Sequence, residues 1–300
     1  MKEEILLYLN EIFAANELNR LPERYGGGRI FSNPLIGVAG GNDSIFERFK
    51  EVVGPEHLTP IELWLDCNQE DIASSKLRIL SIVFPFVNEI REASKDQIVL
   101  PRVILPAEVY SVGRNYANKF KPYILKQLIN YFEKQGFQAA SAMLSEAFTI
   151  LTKGGFHSTW SERHIAFAAG LGTFSLHEAL ITEVGCNVRL ASLVTNAPLE
   201  ITLRKSENPY ANCLYYTKGT CRKCEEKCPA EAITQEGHNK TLCYNYGQKV
   251  ARKMISRLSP LLKPHIRRVN GVLRPPTYPV GCAFCQFGVP CMDKNPTNEE

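Results

Sequence analysis

The sequence predicts a mixed α/β domain followed by a small, cysteine-rich α+β domain. Three observations carry that reading. Strand-like apolar runs alternate with helical patterns up to about residue 203. After that point strand-like runs fade, and cysteine, lysine and glutamate rise. Eight of the ten cysteines then fall between positions 213 and 291. Three hundred residues at 44% hydrophobic content suffice for one large core, or one core with a satellite. The expected division is residues 1–203 and 204–300.

In chain order, "MKEEILLYLNEIF" reads as an amphipathic helix with Ile5, Leu6, Leu9, Ile12 and Phe13 on one side. "PLIGVAGGND" reads as a short strand running into a glycine turn, where Gly40 and Gly41 either turn the chain or approach a phosphate. "RILSIVFPF", from Arg78, is a continuous β-rich apolar run and predicts a buried strand. "NYANKFKPYILKQLINYFEKQGF" has Phe120, Ile124, Leu128, Tyr131 and Phe132 at helical spacing and stops at Gly136. "FQAASAML" then returns as a strand, which predicts a β–α–β unit. "VRLASLVTNAPLEI" predicts a further strand. "STWSERHIAFAAGLG" predicts a helix with a Thr159–Glu162 capping box and Gly170 as its left-handed stop. Ala166, Ala168 and Ala169 keep that helix slim, for close packing on the sheet or for approach of a flat macrocycle.

The formal net charge is +4, small for this length, and gives no reason to expect nucleic acid. The acidic start lacks the basic region and cleavage site of a signal peptide. No apolar run approaches the roughly 18 residues of a membrane span. A cytoplasmic chain with no membrane partner is therefore expected, and in a reducing compartment clustered thiols predict metal ligands over disulfides. Cys67 and Cys186, outside the cluster, read as small buried hydrophobes.

Cys221, Cys224 and Cys228 followed by Pro229 match the end of a bacterial iron–sulfur run, but Lys218 stands where its first cysteine belongs. Cys213 can return through the loop "CLYYTKGT" to replace it. The second run, Cys282, Cys285 and Cys291, also lacks a leader, and Cys243 can supply one. In two-cluster ferredoxins the last cysteine of each run ligates the other cluster. Crossing over gives Cys213, Cys221, Cys224 and Cys291 for one 4Fe–4S cluster, and Cys228, Cys243, Cys282 and Cys285 for the other. A zinc ribbon also uses paired cysteines, but needs neither the Cys-Pro ending nor the lone upstream thiols. Two such clusters form an electron conduit, and the long α/β segment ahead of them predicts an enzyme.

"YSVGRNYANKFKPYILKQL", "SERHIAFAAGLGTFSLHEALIT" and "LASLVTNAPLE", followed by the cysteines, resemble in order the epoxyqueuosine reductases and the related reductive dehalogenases. The resemblance covers roughly residues 78–292. It implies a nitroreductase-like cobalamin-binding domain joined to a two-cluster ferredoxin domain. It also implies a ferredoxin or flavodoxin as low-potential electron donor and a small-molecule substrate. Arg114, Tyr116, Glu162, Gly170, Leu171, Gly172, Thr173 and Phe174 are the positions it assigns to cobalamin. The chain departs from the family at the acidic proton donor, where Phe156 or His157 stands. Asn115 and Ala117 replace an aspartate and a histidine, and Leu176 a lysine. It also ends nine residues after Cys291, where transfer-RNA-modifying members continue into a helical-repeat domain.

Tyr116 and His157 are then the candidate proton donors, each set against an ordinary role as packed aromatic or capping histidine. Glu162 and Arg163 read as orienting residues, and His164 as a packed one. The basic stretch 249–268 is a solvated face or a dock for an acidic donor. Two rival readings are a cobalamin-free electron-transfer protein and a reductase of a partner protein's corrinoid.

Overall fold

The computed structural model describes residues 1–68 and 70–298. A four-stranded antiparallel sheet organises the chain, in the order β1 (Leu35–Gly40), β2 (Arg78–Pro85), β10 (Val188–Thr195), β5 (Ala139–Ala140). The central β2 pairs Val83 with Leu35 on one side and with Leu190 on the other. Its apolar run is continuous because both faces are covered. Leu80, Ile82 and Phe84 enter one core, while Ile79 and Val83 enter the other, at the period of two that a pleated strand imposes.

The first face packs on α1 (Lys2–Ala15), through Ile5, Leu9 and Phe13, and on α5 (Glu108–Lys134). The second packs on α2 (Ile45–Val52), α3 (Pro60–Asn68) and α6 (Glu162–Ala168). The short α4 (Asn88–Ala93) and the hairpin of β3 (Gln97–Leu100) and β4 (Val103–Pro106) lead into α5. The expected return after α5 is only the two-residue β5. It runs parallel to β2, but β10 lies between them, so no adjacent parallel pair forms. β10 pairs with β5 only at Val194 and Thr195, which leaves its edge from residue 188 to 193 unpaired on that side.

Further along, β6 (Ile150–Leu151) and β7 (His157–Ser158) form a small hairpin, and β8 (Gly172–Phe174) with β9 (Leu180–Thr182) forms another. The cysteine-rich part holds α7 (Leu214–Lys218), α8 (Lys223–Glu226), the hairpin β11 (Ile233–Thr234) with β12 (Gly237–His238), and α9 (Lys240–Leu258). A final hairpin, β13 (Arg268–Val269) with β14 (Val272–Leu273), adds to β6. Val250, Met254 and Leu258 of α9, with Val280, Phe287, Val289 and Met292, enter the same core as Ile5 and Phe84. The cysteine-rich part is therefore packed onto the sheet's α1/α5 side.

Two local expectations change. Thr159 and Glu162 form no capping box: the Thr159 hydroxyl donates to the Ala147 carbonyl, and Glu162 accepts from Ser192 Oγ at 2.6 Å. The box stands at α3 instead, where the Glu62 carboxylate accepts from Thr59 N at 2.7 Å and the Thr59 hydroxyl accepts from Glu62 N. Gly170 does end α6 in the left-handed region, at φ 73°. The slim alanine face serves packing: a Cβ on Gly37 of β1 would sit 2.2 Å from the Ala169 carbonyl oxygen. Gly41 likewise lies against the backbone of Ser74, where a Cβ would come within 2.5 Å, so the glycine pair makes a close turn. Among the described residues no helix is long and apolar enough to cross a membrane.

Candidate metal centre and its surroundings

The thiols gather from four segments. Cys213 precedes α7, Cys221, Cys224 and Cys228 flank or lie in α8, and Cys243 sits in the first turn of α9. Asn239 starts α9 by accepting from the backbone N–H groups of Thr241 and Leu242. Cys282, Cys285 and Cys291 lie on the returning loop, where Ala283 takes a left-handed φ of 58°.

Their mutual fields sort them. Burial raises the pKa of Cys221 and Cys224; Cys221 also feels Cys291, Cys213 and Lys223, and Cys224 feels Cys291, Cys213 and Cys221. Cys282 feels Cys243 and Cys228, while Cys285 feels Cys282, Cys243, Cys224 and Cys228. Cys285 also feels Cys224, so the two groups lie near one another. A small cavity is lined by Cys213, Cys221, Cys224 and Cys291 together. Burial pushes the thiols of Cys224 and Cys282 up to about 12. Holding four such sulfurs as thiolates requires a cation among them.

One neighbour of this group escaped sequence reasoning. Cys186 is buried, as expected, but its sulfur lies 3.8 Å from Cys291 Sγ, and His177 Nε2 lies 3.9 Å from the same atom. The three side chains place their donor atoms within 4.8 Å of one another. Hydrogen bonds with Cys186 and His177 hold the Cys291 thiol below the usual thiol range. Nothing in the spacing of a lone cysteine signals this contact.

Beside the second group, Glu178 collects cations. Its carboxylate meets His238 Nδ1 at 3.3 Å, and Arg163 and Lys240 at 3.9 Å. Burial works against the His238 proton, yet hydrogen bonds with Cys243 and Glu178 raise its pKa to about 9. Arg163, His164, Phe174, Glu178 and Lys240 also line a cleft of about 300 Å³, together with Phe49, Phe167 and the Arg204–Asp43 ion pair. A cleft of this size takes a small molecule.

The predicted front-domain residues do not all meet there. Phe174 lines the cleft, whereas Gly170, Leu171, Gly172 and Thr173 line a smaller neighbouring recess. Their backbone is already engaged: Phe174 N donates to the Pro209 carbonyl, Leu171 N to Ala166, and Thr173 Oγ1 accepts from Asn212 N. A Cβ on Gly172 would sit 2.3 Å from the Ile181 carbonyl oxygen. Tyr116 lies on α5 and donates its hydroxyl to the Leu261 carbonyl at 3.1 Å. His157 pairs with Glu56 at 3.0 Å and packs on Gly54. Neither lines the cleft. Glu162 is half-buried and held by Ser192 of β10, and Arg114 lies close enough to Cys282 to act on its charge. In the basic stretch, Arg257 pairs with Glu108 at 2.8 Å and Arg268 with Glu146 at 2.9 Å, so two of its cations are engaged within the chain.

No family model matches the sequence, and none of the curated proteins matches it. Among solved structures, an epoxyqueuosine reductase from Streptococcus thermophilus superposes with a TM-score of 0.50 at 17% identity, over 99% of this chain and 69% of that one. A selenomethionine-labelled epoxyqueuosine reductase gives 0.47, also at 17% identity and over the same shares of the two chains. A reductive dehalogenase described with a mechanism for B12-dependent dehalogenation gives 0.40 at 14% identity, over 67% of this chain and 23% of that one. The mixed α/β architecture is therefore similar to that of an epoxyqueuosine reductase. The chain spans 57% of the Bacillus subtilis enzyme's length and less than a quarter of the dehalogenase's.

Proposed function

We propose that the chain is an iron–sulfur reductase. In this reading residues 204–300 hold two 4Fe–4S clusters, on Cys213, Cys221, Cys224 and Cys291 and on Cys228, Cys243, Cys282 and Cys285. Electrons from a ferredoxin or flavodoxin pass through them to an acceptor on the α/β part, residues 1–203. The observation that supports the proposal is that Cys213, Cys221, Cys224 and Cys291, drawn from three separate segments, line one small cavity. All-thiolate donor sets suit iron–sulfur clusters, and bound clusters supply one-electron transfer. The chain's own contribution is to enclose the thiols at least in part and to line the 300 Å³ cleft with Arg163 and Glu178, which pair with each other. The cleft is the acceptor's seat in this proposal.

A corrinoid acceptor is what the family resemblance implies. The residues expected to hold it do not fit that role as a group, because the 170–174 turn spends its amides on the chain itself and Tyr116 bonds to Leu261. That misfit favours a second reading, in which the chain carries electrons without cobalamin or reduces a corrinoid held by a partner protein. Epoxyqueuosine-like reduction of a small molecule remains the first.

Anaerobically purified protein should be brown, bleach with dithionite and carry about eight irons with matching sulfide. Cys243→Ser should lose about four of them, from the second set alone. Colourless protein with stoichiometric zinc would overturn the proposal. Titration with hydroxocobalamin, and separately with a flavin, decides between the two acceptor readings.

A further inference from the structure

At the unpaired edge of β10 four cations converge with too little negative charge among them. Tyr110, Arg114 and Lys121 follow one another along one side of α5, and Arg189 rises from β10 to meet them. Arg189 donates to the Tyr110 hydroxyl at 2.6 Å and Arg114 donates to the same oxygen at 3.4 Å. Lys121 reaches the free edge and donates to the Leu190 carbonyl at 3.1 Å. Arg267, from the loop after α9, lies in the field of Arg114 and in turn acts on Lys121. Gly281 makes room for the group: a Cβ there would sit 2.8 Å from Arg114 Cζ.

All four cations are at least half-buried, and burial lowers the pKa of Lys121, Arg189 and Arg267. Among the described residues none of the four has a carboxylate within ion-pair distance. Glu162 is the one anion whose charge favours the protonated Lys121, and burial raises its own pKa. Keeping several guanidinium groups out of water without counter-charge is costly. Tyr110 adds a polar signal: its buried hydroxyl accepts twice and donates to no described residue, which leaves one O–H to offer.

We propose that this cluster is a binding site for a phosphate group, borne by the substrate or by a cofactor. Four cations against one carboxylate leave an excess that a dianion balances better than a monoanion. The planar forks of three arginines match phosphate oxygens in pairs, Lys121 adds a point charge, and Tyr110 adds a neutral donor. The site adjoins the second thiol set through Arg114 and Cys282. A phosphate held here would therefore anchor a molecule within reach of the electron path. The inference stands on the cations alone and does not require the clusters.

The test is calorimetric titration of the iron-loaded full chain with inorganic phosphate at low ionic strength, with acetate as the comparison anion. Saturable binding at about millimolar Kd or tighter is expected, with acetate weaker. Arg189→Gln and Arg267→Gln should each weaken phosphate at least about tenfold, while Lys249→Gln on the solvated face of α9 leaves it unchanged. Phosphate should raise the melting temperature of the parent protein and not that of the two arginine variants. Absence of saturable phosphate binding would overturn the proposal. So would binding that survives both arginine variants, or acetate binding tighter than phosphate. Iron content, measured on every variant, reports on the cluster reading separately.

Discussion

The backbone N–H of Cys186 donates to the Cys291 carbonyl at 2.8 Å, and their sulfurs lie 3.8 Å apart. A residue read from the sequence as a plain hydrophobe thus touches a proposed ligand. Spacing assigns Cys291 to the cluster and leaves Cys186 spare, so the two should respond differently to the same change. Cys291→Ser should lose about four irons, those of the Cys213 set, because a hydroxyl is a poor ligand for iron. Cys186→Ser should keep about eight and shift only the spectrum of that cluster, since its contact is with the ligand sulfur. Equal iron loss in both variants would make Cys186 a ligand and the crossed assignment wrong.

Stability should fall as the solution is made mildly acidic. His57 is fully buried and its Nε2 accepts from Ser161 N at 3.0 Å, and burial pushes its pKa from 6.5 down to about 4. Burial likewise carries His164, between Phe49 and Phe174, down to about 3. The fold holds both rings neutral and the unfolded chain takes up the proton. Their contribution is therefore complete above about pH 6.5 and drains away as pH falls from there toward 4. His57 alone amounts to about 3 kcal/mol over that window. Melting temperatures should drop between about pH 7.5 and pH 5, and His57→Asn should flatten the slope. A slope left unchanged in His57→Asn would contradict the burial of that ring; the parent profile alone does not decide it, because Glu162 and His238, with raised pKa values, act in the opposite sense.

Tyr116 tests the difference between a proton donor and a packing residue. Its hydroxyl is committed to the Leu261 carbonyl, where it ties α5 to the segment after α9. Tyr116→Phe should cost about 1 kcal/mol of stability, the net worth of one such hydrogen bond. Cluster reduction by dithionite and any turnover measured below the melting transition should stay at the parent level. A large loss of turnover with unchanged stability would return Tyr116 to the reacting centre.

How far the sequence could be read depended on whether the signal was local. The strand at Arg78, the helix through Phe120 and the left-handed stop at Gly170 follow from periodicity and glycine chemistry, and all three are present. The gathering of Cys213, Cys221, Cys224 and Cys291 around one cavity was legible because cysteine spacing survives in the chain as numbers. The cationic cluster was not, because Arg114, Lys121, Arg189 and Arg267 come from three distant segments and share no motif. The capping box was misplaced for a related reason. "TWSE" and "TPIE" satisfy the same pattern, and only tertiary packing, through Ala147 and Ser192, decides that Thr159 and Glu162 are spent elsewhere.

The packing at Gly185 ties the α/β part to the first thiol set and yields the sharpest test of that junction. Gly185 has φ 81°, in the left-handed region, and ends the turn that Thr182 closes by donating its hydroxyl to the Gly185 carbonyl at 2.7 Å. A Cβ there would sit 2.3 Å from the Met292 carbonyl oxygen and 2.4 Å from Asp293 N, both backbone atoms that cannot rotate away. Gly185→Ala therefore costs about 1 kcal/mol for the conformation, and more for pushing the 291–293 segment outward. Asn187 N, which donates to the Met292 carbonyl at 3.1 Å, loses its partner in the same movement. Cys291 is carried along, so the variant should melt lower and hold fewer irons, with the deficit confined to the Cys213 set. Gly136→Ala makes the matching control, because Gly136 is also left-handed at φ 80° but has open space around its Cβ position. It should cost only the conformational part and keep its iron. If Gly185→Ala keeps all its iron and melts like Gly136→Ala, Cys291 is not positioned through the Gly185 turn.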